Sequence, residues 1–225
     1  MRRMTHLIAC IHATPLAIGP VAQAFSHWVP EWKRLDIIEE RLFSLQGEGE
    51  EAVSIFIETL KRVEAENPSA ILTTCSLYTR YLQGVRSFIK KPVLGIDEPM
   101  IEKAVETGGR LALVGSLASA IEGTASLIKE GAEAKRQWVD ISTRLLVDPN
   151  LCSTPAGMKD LAERLRSLRR EVNRVVVVQA SLSNVAELLS TEENERILTS
   201  PRLAIFRLQQ ILEERKAASD SVEKV

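Results

Sequence analysis

A chain of 225 residues, 45% hydrophobic and 26% charged, is long enough to bury a substantial core as one large domain or two small ones. Its 29 basic and 30 acidic residues nearly cancel, which excludes the charge pattern of a protein that binds nucleic acid or a membrane surface. Three cysteines, Cys10, Cys75 and Cys152, form no CxxC motif and no Cys/His cluster. They are expected to be free thiols in a reducing cytoplasm, with no metal site.

The amino terminus combines features of a signal peptide with those of a first strand. Two arginines precede an apolar stretch, and Ala22-Gln23-Ala24 resembles a cleavage site. Histidines, prolines and a glycine interrupt that stretch, and Thr5–Ile11 is typical of the first strand of an α/β domain. We therefore expect a cytoplasmic protein. No apolar run elsewhere approaches the roughly 20 residues of a membrane span.

Apolar, β-branched segments alternate with helix-like ones along the chain, which is typical of parallel βαβ units and predicts the α/β class. Several strand candidates are apolar throughout, as strands covered on both faces are. The predicted strands are Leu7–Ile11, Ala70–Thr74, Val93–Ile96, Leu111–Gly115, Gln137–Ile141, Val175–Gln179 and Arg196–Leu198. The predicted helices are Ile18–His27, Glu50–Glu66, Leu77–Lys90, Pro99–Thr107, Ala120–Lys135, Pro155–Glu171, Ser183–Leu189 and Pro201–Ala217.

One short phrase occurs twice in the chain. Residues 71–77 read ILTTCSL and residues 176–182 read VVVQASL. Each is an apolar, β-branched run that ends in a small residue, a serine and a leucine before a helix-like segment. Aligning the two phrases places Cys75 opposite Ala180, so one copy carries a thiol that the other lacks.

The repeat predicts two similar lobes, each with a mostly parallel sheet flanked by helices. The first lobe is expected to comprise residues 1–97 together with 200–225, because the last helix would return to it. The second lobe would comprise residues 98–199. Its opening sequence, RLALVGSLASAI at 110–121, corresponds to LIACIHATPLAI at 7–18.

Four loops would follow strands at the carboxyl edges of the sheets, where open α/β sheets bind ligands. They are rich in small and hydroxyl side chains and lead into helices, so their N–H groups and hydroxyls can hold a carboxylate or phosphate. The candidate ligand-binding residues are His12, Thr14, Thr74, Ser76, Ser116, Ser119, Gln179, Ala180 and Ser181. Cys75 is the candidate for proton transfer or nucleophilic attack, because a helix N-terminus and nearby N–H groups favour the thiolate.

Each candidate also has a purely structural explanation. Most free cysteines are small buried hydrophobes, and Cys10 in a strand and Cys152 in a loop fit that description. His12 could be a packed or solvated histidine. Asp97, just before a predicted helix, suits a helix cap. Gln179 ends an apolar strand, where it could cap the sheet edge or bind a carboxylate.

Four segments together resemble the aspartate/glutamate/hydantoin racemase superfamily: ILTTCS at 71–76, PVLGIDE at 92–98, GRLALV at 109–114 and VVVVQAS at 175–181. The similarity follows the whole chain in order. It implies two similar α/β domains that hold a small carboxylate between them and use neither cofactor nor metal. In typical racemases of the family, one cysteine from each half acts as base or acid on opposite faces of the substrate α-carbon.

The resemblance also implies roles for individual residues. Cys75 matches the first-half cysteine, whereas the second-half cysteine falls on Ala180. An alanine has no proton to give, and Ser181 beside it is a poor acid or base near neutral pH. The positions that match the hydroxyl and anion-binding groups of the family are Thr74, Ser76, Ser116 and Ser119.

Three functions are open at this point. The first is a single-thiol isomerase, lyase or decarboxylase acting on a small carboxylate or amino acid; arylmalonate decarboxylases also use one cysteine, although theirs corresponds to the second-half position. The second is a racemase in which His12 or Tyr78 supplies the other proton. The third is a carboxylate-binding or sensor protein without turnover. The expected partner is a small carboxylate, with no nucleic acid and no membrane, and a homodimer is left open.

Overall fold

Eight strands among the described residues form two four-stranded sheets, and every pairing within them is parallel. The computed structural model of the protein describes residues 5–148 and 154–222, with the backbone alone for 219, 220 and 222, so Cys152 lies outside the described residues. The strands are β1 (Leu7–His12), β2 (Lys33–Ile38), β3 (Ala70–Thr73), β4 (Val93–Gly95), β5 (Gly109–Gly115), β6 (Val139–Leu146), β7 (Arg174–Val177) and β8 (Ile197–Thr199). The predicted α/β class with two similar sheets is confirmed.

The two sheets have the same strand order, β2-β1-β3-β4 and β6-β5-β7-β8. In each, the chain adds one strand on one side of the first strand and the next two on the other side. The loops after β1 and β3 therefore diverge at their carboxyl ends, as do those after β5 and β7. Such a point of divergence is where open α/β sheets hold ligands.

Helices cover both faces of each sheet. The helices are α1 (Ile18–Trp28), α2 (Glu40–Ser44), α3 (Gly49–Glu64), α4 (Leu82–Val85), α5 (Glu98–Thr107), α6 (Ala118–Ala134), α7 (Pro155–Leu168), α8 (Thr191–Arg196) and α9 (Ser200–Val222). Local sequence sets several of their starts. Thr154 accepts a hydrogen bond from the N–H of Gly157 and Pro155 occupies the first turn of α7, whereas Ser190 and Glu193 form a capping box at α8.

The core consists of four apolar clusters, one on each face of each sheet. Strands β1, β3, β5 and β7 are buried almost throughout, which explains their unbroken apolar sequences. The last helix joins the core of the first sheet, where Ile205 and Leu208 of α9 pack in one cluster with Ile8 and Cys10 of β1.

The strands that the sequence predicted poorly lie at sheet edges. Strand β2 was not predicted, because KRLDII is charged and only partly buried. Strand β6 starts two residues after its predicted start and extends five residues past its predicted end. Along its second half, successive residues alternate between partly buried and exposed. Charged side chains are common on edge strands, where they discourage pairing with other chains. The same charges weaken the apolar signal on which strand prediction depends.

The predicted helix over Leu77–Lys90 is wrong as a single element. It is divided into a 3₁₀ turn at Ser76–Tyr81, the short α4 and a second 3₁₀ turn at Arg86–Phe88. The corresponding segment of the second sheet, Ala180–Leu188, is likewise 3₁₀. Both repeats therefore follow their strand with a tight 3₁₀ segment rather than a long α-helix. None of the described helices is both long and apolar enough to cross a bilayer.

Candidate active site

A small cavity lies where the loops after β1, β3 and β7 meet the start of α6. Its volume is about 70 Å³. Both copies of the repeated phrase contribute to it. The lining residues are Ala13, Thr14, Ala17, Phe43, Thr74, Cys75, Ser76, Leu77, Leu117, Ala120, Gln179, Ala180 and Ser181.

Cys75 follows β3 and is partly exposed to this cavity. Burial raises the pKa of its thiol to about 12, and the Asp97 carboxyl adds to the effect. The backbone N–H groups of Leu77 and Tyr78 lower the pKa, as a strand-to-helix junction should, but they do not outweigh burial. The expectation of a favoured thiolate is therefore wrong, and the thiol is protonated at neutral pH. The segment that follows is a six-residue 3₁₀ turn, whose aligned dipole is smaller than that of a long α-helix.

His12 ends β1 and joins two side chains through its fully buried ring. Nε2 lies 2.9 Å from Oδ1 of Asp36, and Nδ1 lies 2.9 Å from Oγ1 of Thr74. Burial lowers the pKa of His12 even though Asp36 opposes that change, so the ring is neutral. Because an ionised carboxylate only accepts, Nε2 carries the hydrogen and Nδ1 is left as an acceptor, so the single hydroxyl hydrogen of Thr74 is shared between Nδ1 and the carbonyl of Ile11, 3.1 Å away. His12 thus communicates with the cavity through the Thr74 hydroxyl.

Asp36 is held in its ionised form by its neighbours. Burial works against ionisation, but hydrogen bonds from Arg34 and His12 keep the pKa of this carboxyl below its usual range. The Nε of Arg34 donates to both carboxylate oxygens, at 2.7 and 2.8 Å. The result is a continuous chain of polar contacts from Arg34 on the edge strand to Thr74 at the cavity wall.

One group of potential metal ligands occurs among the described residues. The sulfur of Cys10 and ligand atoms of His12 and Asp36 lie within 4.8 Å of one another. Arg34 already neutralises Asp36, and both nitrogens of His12 already have partners. Cys10 is fully buried, and burial raises the pKa of its thiol well above the usual range, whereas metal binding needs the thiolate. These residues therefore fit a hydrogen-bonded network better than a metal centre.

A second unusual carboxyl lies beside the cavity. Asp97, between β4 and α5, is 1% exposed, and its oxygens make no well-formed hydrogen bond to a described residue. Burial raises the pKa of Asp97 to about 7, although the hydroxyls of Ser76 and Ser200 favour the ionised form. A neutral carboxyl tolerates such surroundings better than an anion does. The side chain does not cap α5, so the helix-cap interpretation of this residue is wrong.

Gln179 follows β7, and its side chain binds the two residues that precede α6, Ser116 and Leu117. Its Oε1 accepts hydrogen bonds from the N–H of Ser116 at 2.5 Å, the hydroxyl of Ser116 at 3.1 Å and the N–H of Leu117 at 3.1 Å. The sequence left open whether this residue caps an element or binds a carboxylate. In the structure its side chain holds the residues that lead from β5 into α6, without capping that helix, and its binding of a carboxylate stays a prediction.

The candidate residues converge only in part. Those that line the cavity are Thr14, Thr74, Ser76, Gln179, Ala180 and Ser181. His12 is one side chain behind the wall, and Ser116 is engaged by Gln179. Ser119 is exposed on the first turn of α6, outside the lining. Their roles in binding stay predictions, with the cavity-lining subset the better placed.

Tyr78 does not reach the cavity. Its ring is fully buried, and its hydroxyl donates a 3.0 Å hydrogen bond to the carbonyl of Leu42. Burial raises its pKa to about 12. Tyr78 is therefore a core residue, and the proposal that it supplies a second proton is wrong.

Sequence reasoning missed several residues that shape the site. Arg34 and Asp36 lie on the same face of β2, and their alternation was the available signal, but the strand itself was not recognised. Phe43 of α2 and Leu117 before α6 complete the apolar part of the lining, and nothing in their local sequence distinguishes them. Ser76 ties the two repeats together, because its hydroxyl donates to the carbonyl of Val178 at 3.0 Å.

A larger cavity, of about 570 Å³, lies between α1 and the segment that runs from β8 into α9. It shares no lining residue with the cavity at Cys75. The smaller cavity is the candidate active site because it gathers the thiol, the hydroxyls and the ends of both repeated strands.

The sequence of residues 39–206 matches the model of the Asp/Glu/hydantoin racemase family. Among curated proteins, none matches the sequence significantly.

Solved structures show the same fold at low sequence identity. An allantoin racemase from Klebsiella pneumoniae is 15% identical, with a TM-score of 0.68 over 93% of this chain and 88% of that one. A glutamate racemase isoform from Bacillus anthracis is also 15% identical, with a TM-score of 0.69 over 93% and 82%. Unliganded arylmalonate decarboxylase is 13% identical, with a TM-score of 0.62 over 92% and 93%.

Proposed function

Since the chain belongs to the Asp/Glu/hydantoin racemase family, we propose that it is a cofactor-independent enzyme that transfers a proton at the α-carbon of a small carboxylate through one thiol, that of Cys75. The main observation in support of this proposal is the difference between two equivalent residues that line the cavity. Cys75 is the one thiol among the described lining residues, and Ala180 occupies the equivalent place after β7. A single thiol serves one face of a bound α-carbon.

The state of the thiol favours donation of a proton over its removal. Because the pKa of Cys75 is raised to about 12, the sulfur carries its proton throughout the neutral range. Such a group can serve the protonation half of a lyase or decarboxylase reaction, because the enediolate formed there is a stronger base than the thiolate. A bond from the α-carbon to a carboxyl leaving group would break, CO₂ would depart, and the electron pair would stay on the carbon as an enediolate. The S–H proton would then form the new C–H bond, and the thiolate left behind would take a proton from water.

The surrounding groups suit this role. The N–H groups of Leu77 and Tyr78 stabilise the thiolate after it has given up its proton. The Thr14 hydroxyl lines the same space and can donate to a carboxylate or enediolate oxygen, whereas the hydroxyl hydrogens of Thr74 and Ser76 already have protein acceptors. An isomerase-like exchange of the α-proton would use the same atoms, with the thiolate as the base. The raised pKa of Cys75 makes this exchange slower, because it lowers the fraction of thiolate.

A binding protein without turnover is the alternative, because a thiol with a pKa of about 12 is a weak acid near neutral pH. Deuterium exchange separates the two functions. Small carboxylates and amino acids are incubated with the protein in D₂O, and α-deuteration is followed by proton NMR together with the melting temperature. The enzyme proposal predicts deuterium on one face, with loss of about 10²–10⁴-fold in rate in Cys75→Ala.

The matched control is Cys10→Ala, which removes a thiol from the same sheet at a position fully buried and outside the cavity. It should exchange as the unmodified protein does. A ligand-induced rise in melting temperature with neither α-deuteration nor loss of a carboxyl group would support the binding protein instead. Exchange that survives in Cys75→Ala would contradict the assignment of the thiol.

A further inference from the structure

The wall of the cavity at Cys75 carries no charged side chain. Its described lining consists of alanine, leucine and phenylalanine side chains together with hydroxyls, one amide and the thiol. Aspartate, glutamate, lysine, arginine and histidine are all missing from these described lining residues. The thiol is also uncharged at neutral pH, because burial raises its pKa to about 12. A charged group on a ligand therefore meets no opposite side-chain charge in this lining.

Two carboxyl groups are linked to the wall from behind, and neither offers a negative charge to the cavity. Asp36 has Arg34 as its counter-ion, and the buried ring of His12 separates it from the lining residue Thr74. Asp97 is 1% exposed and is not one of the described lining residues. Burial raises the pKa of Asp97 to about 7, so a large part of it is neutral near neutral pH.

The polar groups of the wall do not replace such a charge. An α-ammonium group brings three N–H donors and a full positive charge. Oε1 of Gln179 already accepts three hydrogen bonds, from Ser116 and Leu117. The other side-chain oxygens of the described lining belong to hydroxyls, which accept hydrogen bonds but carry no negative charge. Removing an ammonium group from water without a counter-ion is costly, and neutral acceptors offset only part of that cost.

The backbone at Cys75 adds a bias against positive charge. The N–H groups of Leu77 and Tyr78 lower the pKa of the thiol, so they stabilise a negative charge at the sulfur. The same N–H groups repel a cation in that place. Burial disfavours charge of either sign, but only the anion gains these donors in return. A carboxylate and an ammonium group are therefore not equivalent ligands for this wall.

Uncharged substituents, in contrast, find suitable surroundings. The ring of Phe43 lines the cavity and is 38% exposed, and Leu77 and Leu117 extend the apolar part of the lining. Helix α2, which carries Phe43, is held in place by the hydrogen bond from the Tyr78 hydroxyl to the carbonyl of Leu42, 3.0 Å long. A methyl or larger alkyl group gains free energy by leaving water for such a wall, and it has no charge to lose.

We infer that the site takes carboxylic acids whose α-substituent is uncharged and excludes α-amino acids by their ammonium group. This inference rests on the proposed function, in which the Cys75 thiol acts on a small carboxylate, and it narrows the substrate class of that same site. The substituents that fit are hydrogen, alkyl and hydroxyl groups. The excluding feature is the uncharged lining, which two of its residues can be used to change.

Pairs of acids that differ by a methyl or an ammonium group test the selection, because these two groups are nearly equal in size. Methylmalonate is compared with aminomalonate, and isobutyrate with alanine. Affinity is measured by calorimetry, and loss of CO₂ from the malonates is measured against a protein-free reference. For at least one pair, we expect the unmodified protein to bind the methyl compound about tenfold more tightly, or more, than the ammonium compound.

Thr14→Asp and Ser181→Asp each add a carboxylate to the lining, at positions that are partly exposed and can accept a charge. Each should lower the ratio of methyl to ammonium affinity by about tenfold. The matched controls, Thr14→Asn and Ser181→Asn, have nearly the same shape without the charge and should leave the ratio as it is. Because the two positions follow different strands, β1 and β7, one variant can carry the test where the other fails to fold.

The outcomes separate this inference from the proposed function. Equal or tighter binding of the ammonium compound in both pairs would overturn the inference, as would an unchanged ratio in the aspartate variants that fold. Deuteration of alanine that depends on Cys75 would also overturn it and would leave the proposed thiol chemistry standing. A methyl preference with neither deuteration nor loss of CO₂ would support the inference while the proposed turnover fails. If none of the four compounds binds at millimolar concentration, both are contradicted.

Discussion

The segment after β3 and the segment after β7 share a backbone plan and differ in the chemistry that they present. Thr74–Ser76 brings a thiol to the cavity and connects through a hydroxyl to the buried pair of His12 and Asp36. Gln179–Ser181 brings a methyl group and an amide whose oxygen is committed to the residues that precede α6. The fold places both loops in equivalent positions. Whether a loop can give a proton or a hydrogen bond to a ligand depends on single side chains and on the partners that they already have.

The largest test of this difference restores the missing thiol. In Ala180→Cys, sulfur groups would face the cavity from both repeats, so the second face of the α-carbon would gain an acid or base. With a substrate identified by deuterium exchange, racemisation should rise by about 10²–10⁴-fold and exchange by less, as measured by chiral chromatography beside NMR. Ser181→Cys is the matched control, since it adds a thiol to the same lining one residue away.

Two results would break the comparison. Rapid racemisation by the unmodified protein would mean that another residue supplies the second proton, with Thr74 and His12 behind it the first to examine. A variant Ala180→Cys that folds, keeps exchange and fails to racemise would mean that the two segments do not face one α-carbon. Because Ala180 is 4% exposed, circular dichroism should accompany the assay to establish that the larger side chain is accommodated.

The fold was predictable from sequence because its central strands are apolar without interruption, as β1, β3, β5 and β7 show. Edge strand β2 was not, since its charged residues erase the periodic signal. The site was predictable in position, through the repeat that places Cys75 and Ala180 in one cavity.

The state of each side chain was not predictable. The pKa of Cys75 depends on burial and on Asp97, and Asp97 lies outside the repeated phrase that contains Cys75. The hydrogen bonds that occupy the Gln179 oxygen depend on a contact with Ser116, which lies 63 residues away in the chain. The local sequence shows which acidic and hydrogen-bonding side chains a loop carries. Tertiary packing decides which of these side chains already have hydrogen-bond partners.

A second, smaller effect is expected on the pH dependence of stability. It arises from Asp97, a carboxyl that lies near Cys75 and has no counterpart near Ala180. Its folded pKa of about 7 exceeds the ordinary value of 3.8. Between those pH values the folded protein keeps a proton that the unfolded chain releases, so the free energy of unfolding falls as pH rises from about 4 to about 7. Above that range the loss is complete, at most about 4 kcal/mol. Asp97→Asn should flatten this fall in melting temperature.

The control for that experiment is Asp160→Asn, which alters an exposed carboxyl on α7 and should leave the pH dependence as it is. Because the Asp97 carboxyl raises the pKa of Cys75, Asp97→Asn should also lower the pH at which that thiol is alkylated. A pH profile of stability identical to that of the unmodified protein would mean that Asp97 is ionised in the folded state, with its charge stabilised by neighbouring groups.

The smallest effect concerns the relative reactivity of Cys75 and Cys10 toward iodoacetamide. Burial raises the pKa of both thiols, but Cys75 opens to the cavity and its pKa is about 12, whereas Cys10 is fully buried and its pKa is higher still. Cys75 should therefore be labelled first, slowly at pH 7 and about tenfold faster for each pH unit up to pH 9, because the thiolate fraction rises in that proportion. Peptide mapping after limited labelling separates the sites. Preferential labelling of Cys10 would contradict the expected order of reactivity. A rate at Cys75 that no longer rises with pH above pH 7 would show that this thiol is already ionised and would change its assignment from proton donor to base.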